Sequence, residues 1–258
     1  MRWPILLLSL GCSSNIGERF QLGTPLPSPT GDTGPPIPTT PIDTPEPTDT
    51  GLPEPPCEAP CVDVVFVVDS SPSMDEIQMQ LAQSGVGLFE ALEGIDFHVG
   101  TITMDLTDPI AAGTLQRGVE ARWITPETLN PVSEFASMVQ LGTAGASQEA
   151  GIGAARLLIF VKADQTPNTG FRRPGAPLHL VFVSNEDDQT PDDVLTEATE
   201  AFAALPGGTR AHSLVAFDFG RGERYLTLTD TLGGVTAAIE TADYAAFLDE
   251  VTLQITAP

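Results

Sequence analysis

Residues 64–73 read Val-Val-Phe-Val-Val-Asp-Ser-Ser-Pro-Ser, five apolar side chains followed at once by a carboxylate and three hydroxyls. The apolar run predicts a strand buried on both faces, because no polar residue interrupts it. Asp69, Ser71 and Ser73 then present oxygen ligands at alternate positions directly after the strand. Oxygen ligands at the carboxyl end of a parallel strand are placed to hold a small cation. The alternative is a simple strand-to-helix turn in which Ser73 or Asp75 caps the next helix.

The chain beyond about residue 60 alternates strand-like and helix-like segments. This alternation predicts an α/β fold with a doubly wound, mostly parallel six-stranded sheet and helices on both faces. The helix that follows Thr190 has a marked start, with Thr190 as its cap and Pro191 in its first turn. Strands are predicted at 64–68, 97–104, 118–124, 178–183 and 212–217, and helices at 77–92, 131–141, 148–160, 191–205 and 244–251.

The charge balance of the chain is strongly acidic. It has 35 Asp and Glu residues against 11 Lys and Arg residues, a formal net charge of −24. No Lys or Arg occurs between Arg19 and Arg117. Nucleic-acid binding needs a basic face, so the composition argues against a nucleic-acid partner. For most of these acids a solvated surface is the simplest interpretation.

Residues 1–12 carry a short targeting pattern. Arg2 precedes an apolar run at 5–8, which ends in Ser9-Leu10-Gly11-Cys12. The pattern resembles a bacterial lipoprotein signal, which implies cleavage before Cys12 and a lipid on its thiol. An ordinary signal peptide is the alternative. The run is far short of the roughly 20 apolar residues of a membrane span, so lipid would be the only membrane anchor. The resemblance places the protein in the bacterial cell envelope, lipid-anchored and facing the periplasm or the cell surface.

Residues 13–56 are predicted to form a disordered linker rich in Pro and Thr. Twelve of the 24 prolines fall within this stretch, which has too few large apolar side chains to offset the entropy of ordering. Cys57 and Cys61 follow it, and outside the cytoplasm such a pair most simply forms a local disulfide. A zinc site is the rival, but it needs further Cys or His ligands nearby. The folded domain is predicted to cover residues 57–258.

The Asp-x-Ser-x-Ser pattern of Asp69, Ser71 and Ser73 resembles the metal-ion-dependent adhesion site of the von Willebrand factor type A domain. In that family the site draws on three loops at the carboxyl edge of the sheet. The second loop normally supplies a Thr from a Gly-Thr step ahead of a helix, which the resemblance assigns to Thr143. Ser147 is the second choice, and for both residues a helix-capping role is the alternative.

The third loop of the family normally reads Thr-Asp-Gly after a buried strand. Here residues 184–190 read Ser-Asn-Glu-Asp-Asp-Gln-Thr, so Asn185 stands where the family has its Asp. Asp187, or Asp188, is the candidate for the missing carboxylate. The stretch resembles a variant found in type A lipoproteins of delta-proteobacteria, as do 171–173 (Phe-Arg-Arg) and 232–234 (Leu-Gly-Gly). Acids next to a helix start can also serve the helix dipole, which is the preferred interpretation for the pair at 192–193.

The resemblance implies a binding protein that holds Mg²⁺, with Mn²⁺ or Ca²⁺ as alternatives, and presents it to a carboxylate of a protein or peptide partner. Magnesium favours oxygen ligands and retains several waters, which suits two hydroxyls and one or two carboxylates. Asp105 could support the ligands from the neighbouring strand, although an exposed turn acid ahead of Asp108-Pro109 is the preferred interpretation. An enzyme is not expected, because no positioned base accompanies the serines, and His98, His179 and His212 lie singly within predicted strands. The rival hypothesis is an envelope scaffold whose site holds no metal.

Overall fold

The computed structural model describes Cys57 and residues 60–218 and 220–256. The predicted lipoprotein signal with Cys12 and the predicted linker over 13–56 lie outside these described residues. Within them the strands are β1 Cys61–Val68, β2 Asp96–Thr103, β3 Trp123–Ile124, β4 Leu178–Ser184, β5 Thr209–Val215 and β6 Thr236–Ala238. They form a sheet in the order β3-β2-β1-β4-β5-β6, in which β3 is antiparallel to β2 and the other pairs are parallel.

Helices cover both faces of this sheet, as predicted. They are α1 Asp75–Gln83, α2 Gly85–Ala91, α3 Pro131–Val139, α4 Gly151–Arg156, α5 Asp192–Ala203, α6 Glu223–Leu232 and α7 Tyr244–Thr256, with α4 continuing into a π-helical turn at Leu157–Val161. The predicted fold class, a doubly wound and mostly parallel α/β sheet, is therefore confirmed. No helix among the described residues combines the length and the apolar character that a membrane span requires.

The strand that opens the domain is buried on both faces because alternate side chains enter two different cores. Val64 and Phe66 pack with α1, α2, α3 and α7 on one face of the sheet. Val65 and Val67 pack with α4, α5 and α6 on the other face. All four side chains are fully buried. β1 is thus a central strand, and the loops that follow β1, β2 and β4 meet at what we call the carboxyl edge of the sheet; the edge where these strands begin is the amino edge.

The predicted strand over 118–124 is wrong for most of its length, because only Trp123 and Ile124 pair with β2. The buried carboxylate of Glu134 in α3 accepts hydrogen bonds from the backbone N–H groups of Val119, Glu120 and Ala121 at 2.8–3.3 Å. These amides cannot also join the ladder of the sheet, so the segment forms a loop around Glu134.

Two predicted helix boundaries are also wrong. The helix predicted over 148–160 begins at Gly151, since the backbone of Glu149 forms an isolated antiparallel bridge with Asp105. The helix predicted to have Thr190 as its cap has Pro191 at that position and no side-chain cap. The Thr190 hydroxyl instead accepts a hydrogen bond from the N–H of Gly153 at 2.9 Å. In both cases a residue predicted to start or cap a helix instead contacts a segment distant in the sequence.

The single helix predicted over 77–92 is in fact two helices, α1 and α2, which meet at Ser84. The hydroxyl of Ser84 donates a hydrogen bond to the Gln80 carbonyl at 2.9 Å. Strand β6 was not predicted individually, because its three residues carry no long apolar run. At the start of the domain, Cys57 and Cys61 are joined by a disulfide bond, with Cα atoms 6.1 Å apart.

The three histidines have structural roles. The Nδ1 atom of His98 lies 2.7 Å from the Phe171 carbonyl oxygen. His179 and His212 are buried, stacked on each other, and joined by a 2.9 Å contact between Nδ1 of His179 and Nε2 of His212. Burial lowers the pKa of His179 to about 4 and that of His212 to about 3. Both rings are therefore neutral at pH 7, which leaves them as packing elements between β4 and β5.

Candidate metal centre

Asp69 lies directly after β1 and forms the floor of the candidate site. Its side chain is fully buried, and each of its carboxylate oxygens accepts one hydrogen bond. Oδ1 accepts from the backbone N–H of Ser71, and Oδ2 accepts from the hydroxyl of Ser184, both at 2.7 Å. These two bonds fix the orientation of the carboxylate and link the loop after β1 to the end of β4.

The hydroxyls of Ser71 and Ser73 lie next to each other, with their Oγ atoms 3.3 Å apart. The amide of Asn185 meets the Ser73 Oγ, with its Nδ2 at 3.0 Å and its Oδ1 at 3.3 Å. The structure thus brings together the predicted ligands of the first and third loops, although they lie 112 residues apart in the chain. Each can offer an oxygen to a cation, and hydroxyl and amide oxygens are suitable ligands for Mg²⁺ or Ca²⁺.

The second loop is held against the first by Gln78 of α1, a residue that sequence analysis did not single out. Its buried amide donates to the Asp69 carbonyl at 2.9 Å and to the Gly142 carbonyl at 3.0 Å, and its Oε1 accepts from the Gly142 N–H at 3.1 Å. Thr143, the predicted ligand, follows this anchored glycine and is half-buried. Ser147, the second choice, is exposed, and its carbonyl lies 3.4 Å from the Gln189 amide.

Two acids of the third loop bind backbone amides of neighbouring helices. The Oδ1 atom of Asp187, a predicted ligand, accepts a hydrogen bond from the Arg224 N–H at 3.0 Å, near the start of α6. Asp188 is buried and accepts from the N–H groups of Ile152 and Thr190, both at 2.9 Å. Burial raises the pKa of the Asp188 carboxyl above its ordinary value. These contacts make the two acids anchors of the third loop.

Asp105 performs a similar anchoring task after β2. Its Oδ1 accepts from the N–H and the hydroxyl of Thr107, and its Oδ2 accepts from the N–H of Ala146 at 2.9 Å. Although partial burial acts to raise it, these hydrogen bonds hold the pKa of the Asp105 carboxyl below its ordinary value. The contact with Ala146 positions the second loop, and none of these hydrogen bonds joins Asp105 to a predicted ligand.

Glu149, in the second loop, is a further acid at this edge that sequence analysis missed. Its side chain is fully buried, and neither carboxylate oxygen meets a hydrogen-bond donor. The pKa of the Glu149 carboxyl is raised to about 9, first by burial and then by the negative charge of Asp69 and a side-chain hydrogen bond with it. The sequence predicts a helix over 148–160, and an acid in the first turn of a helix is unremarkable. The signal that could have identified it is the placement of an acid just ahead of the helix, where the family's loop supplies its Thr.

The described residues contain no group of three or more His, Cys, Asp or Glu side chains placed to share a metal ion. A cation at this edge would therefore need hydroxyl or amide oxygens in addition to carboxylates. Ser71, Ser73 and Asn185 supply such oxygens beside Asp69, and the donor-free carboxylate of Glu149 is the kind of group that a cation would satisfy. The residues present therefore fit a small divalent cation.

No family model and no curated protein matches this chain. Solved structures with a similar fold include a von Willebrand factor type A protein from Catenulispora acidiphila, with 17% identity and a TM-score of 0.49 over 75% of this chain and 42% of its own. Another is proximal thread matrix protein 1 of the mussel byssus, with 10% identity and a TM-score of 0.47 over 74% of this chain and 47% of its own. A third is the pilus adhesin SpaC of Lactobacillus rhamnosus GG, with 11% identity and a TM-score of 0.45 over 78% of this chain and 30% of its own. This chain thus spans less than half of each of these proteins, and similarities of this size have no bearing on its ligand or partner.

Proposed function

We propose that this protein binds a protein or peptide partner through a divalent cation held at the carboxyl edge of its sheet. The observation that supports the proposal is the convergence of Asp69, Ser71, Ser73 and Asn185 in one hydrogen-bonded cluster. The loops that carry these residues follow β1 and β4, which lie side by side in the sheet. The cluster also agrees with the resemblance of the sequence to a metal-ion-dependent adhesion site.

The side chains have distinct tasks in this proposal. Asp69 supplies a buried carboxylate, and Ser71 and Ser73 supply hydroxyl oxygens. Asn185 supplies a neutral oxygen where a type A domain would have a carboxylate. When bound, Mg²⁺ (or Mn²⁺ or Ca²⁺) would supply an electrophilic centre with a coordination position open to a carboxylate of the partner. The strongly acidic composition of the chain, with a net charge of −24, would attract such cations.

The N-terminal pattern supports a location for this activity. From the Ser-Leu-Gly-Cys sequence at 9–12 we propose that Cys12 carries a lipid and that residues 13–56 act as a stalk. The domain would then face the periplasm or the outside of a bacterial cell envelope. Replacement of Cys12 by Ser should release the protein from the membrane fraction and remove its incorporation of labelled fatty acid. Membrane association that is unchanged in the variant would contradict the anchor.

A scaffold without metal is the alternative function, and Asn185 is the observation that favours it. Its amide is already hydrogen-bonded to Ser73, and it carries no negative charge. In the scaffold hypothesis these contacts are the final state of the site, and envelope assembly depends on the domain surface rather than on a cation.

Calorimetric titration of the full chain with Mg²⁺ and Mn²⁺ separates the two functions. We expect saturable binding of one ion per chain, which Asp69→Ala abolishes. With the ion present, a short peptide containing one Asp should bind more tightly than its Asn counterpart, and a chelator should remove the difference. An absence of ion binding by the unchanged protein would refute the adhesion proposal and favour the scaffold.

A further inference from the structure

The backbone of Glu149 is held from two sides at the carboxyl edge. On one side the residue forms a β-bridge with Asp105, and the N–H of the next residue, Ala150, donates to the Met104 carbonyl at 3.1 Å. On the other side the Glu149 carbonyl accepts a hydrogen bond from the Gln189 N–H at 2.7 Å. Glu149 is thereby fixed between the loops that follow β2 and β4, with its side chain beside Asp69. Its position follows from this framework and does not depend on its own side chain.

The side chain of Glu149 is fully buried beside Asp69, and in its ionised form it has no compensating donor or cation among the described residues. A buried carboxylate normally receives hydrogen bonds or pairs with a cationic side chain, because its desolvation is otherwise costly. Within the described part of the chain, both oxygens of Glu149 lack a donor, and no Lys or Arg forms an ion pair with Glu149 or Asp69. The negative charges of Asp69, Asp105 and Glu186 lie nearby instead. A bound divalent cation would compensate this arrangement.

We propose that Glu149, and not Thr143, is the ligand that the second loop gives to the cation, together with Asp69 from the first loop. This inference rests on the proposed function and specifies its site. It also accounts for Asn185, because one carboxylate is lost from the third loop and another is present in the second. The site thus retains two carboxylates, within the one or two that Mg²⁺ usually takes from a protein.

The presence of two carboxylates, Asp69 and Glu149, around the cation would affect how the site recognises a partner. Two buried carboxylates balance the charge of a divalent cation, so the bound ion would be held firmly and would retain little net charge. A partner carboxylate would then gain less from charge alone. Specificity for the partner would have to come mainly from the surface that surrounds the site.

The test compares ion binding to the full-length protein and to four variants, by calorimetry and by the Mn²⁺-induced rise in melting temperature. We expect Glu149→Gln to weaken Mg²⁺ and Mn²⁺ binding at least tenfold, in the range that loss of a supporting group at a metal site already causes. Thr143→Val should change the affinity less than twofold. Glu186→Gln, which removes a neighbouring half-buried acid, is the matched control for a general loss of negative charge and should also have little effect.

The fourth variant returns the carboxylate to the third loop. Glu149→Gln combined with Asn185→Asp should recover a substantial part of the affinity that Glu149→Gln loses. In a chelator, Glu149→Gln should be at least as stable as the unchanged protein, since it removes an uncompensated buried acid, and this establishes that it folds.

The outcomes separate the inference from the function on which it rests. If the unchanged protein binds Mn²⁺ and the Glu149→Gln variant binds it with equal affinity, the role of Glu149 is refuted and the proposed adhesion site is unaffected. A large loss in Thr143→Val with none in Glu149→Gln would return the ligand role to Thr143. Unchanged protein that binds neither ion would overturn the proposed function and this inference together.

Discussion

The two ends of β1 each carry a fully buried aspartate, and the two environments are opposite. Asp63, at the amino edge, forms ion pairs with Arg172 and Arg173 at 2.8 Å and accepts a further hydrogen bond from the Arg173 N–H at 2.8 Å. Arg173 also binds the Val62 carbonyl and the carboxylate of Asp96 on β2. The charge of Asp63 is therefore balanced within the chain.

Asp69, just beyond the other end of the strand, accepts one amide and one hydroxyl hydrogen bond, and its titratable neighbour is another acid, Glu149, rather than a cationic side chain. A buried charge without a counter-charge is costly, whereas a paired one can be close to neutral for stability. The difference indicates that the amino edge is complete as folded, while the carboxyl edge would gain stability from a cation. The two acids are equally buried and lie near opposite ends of one strand, but they differ in what compensates their charge.

The largest expected effect tests the amino edge. Arg173→Met removes its ion pairs with Asp63 and Asp96 and leaves Asp63 with Arg172 alone, which we expect to lower the free energy of unfolding by about 3 kcal/mol. Urea unfolding measures this loss, and it should be the same in Mg²⁺ and in a chelator. Arg156→Met is the matched control, because the Arg156–Glu197 pair is partly exposed and should contribute under about 1 kcal/mol. Rescue of the Arg173 variant by Mg²⁺ would show that the two edges are not independent.

The second prediction concerns the carboxyl edge. Mg²⁺ at about 100 times its dissociation constant should raise the free energy of unfolding by about 2.7 kcal/mol, and Asp69→Asn should abolish this rise. In a chelator we expect Asp69→Asn to be no less stable than the unchanged protein, since it removes a buried negative charge that no Lys or Arg of the described residues balances. Thermal unfolding with and without the ion measures both effects. A strong destabilisation in the chelator would mean that the Asp69 charge is already balanced without an ion.

The third prediction concerns the buried pair of His179 and His212, which should make the free energy of unfolding fall in acid independently of the carboxyl edge. The folded-state pKa values of His179 and His212 lie near 4 and 3, below the ordinary value of 6.5, because burial disfavours their charged forms and the positive charge of Arg210 adds to this. As the pH falls from 6.5 towards 4, the unfolded state binds protons that the folded state does not, so stability falls. His179→Gln should reduce this slope by up to about 1.4 kcal/mol per pH unit. Urea midpoints at pH 6.5, 5.5 and 4.5, in Mg²⁺ and in chelator, measure the slope; a variant with the slope of the unchanged protein would contradict it.

The smallest expected effect is a change in ion affinity when Asn185 is replaced by Asp. Asn185→Asp keeps an oxygen within reach of Ser73 and adds a negative charge, so ion affinity should increase by up to about tenfold, or about 1.4 kcal/mol. Calorimetric titration with Mg²⁺ gives the affinity directly. Asp187→Asn is the matched control, because Asp187 accepts a hydrogen bond from the start of α6, and it should leave affinity nearly unchanged. Weaker binding in Asn185→Asp would show that the site already holds as much negative charge as the ion can balance.

Much of the architecture could be predicted from the sequence because its signals are local. The apolar run at 64–68 and the similar run at 178–183 predict buried strands, and the structure confirms both within β1 and β4. The predicted strand at 118–124 failed because Glu134, from a helix later in the chain, binds its amides. The start of α4 was misplaced because Glu149 bridges to Asp105. Both errors arise from contacts that no local pattern contains.

The candidate site also has features that the sequence predicts and features that depend on distant contacts. Strand polarity predicted Asp69, Ser71 and Ser73 at the carboxyl edge, because residues directly after a buried parallel strand lie there, and the resemblance to a metal-ion-dependent adhesion site added Asn185. Only the tertiary structure distinguished the acids from one another: Asp187 and Asp188 bind helix amides, whereas Glu149 lies buried beside Asp69 without a donor. Strand polarity follows from the order of elements along the chain, but the compensation of a buried charge depends on which distant groups surround it, and folding alone decides that.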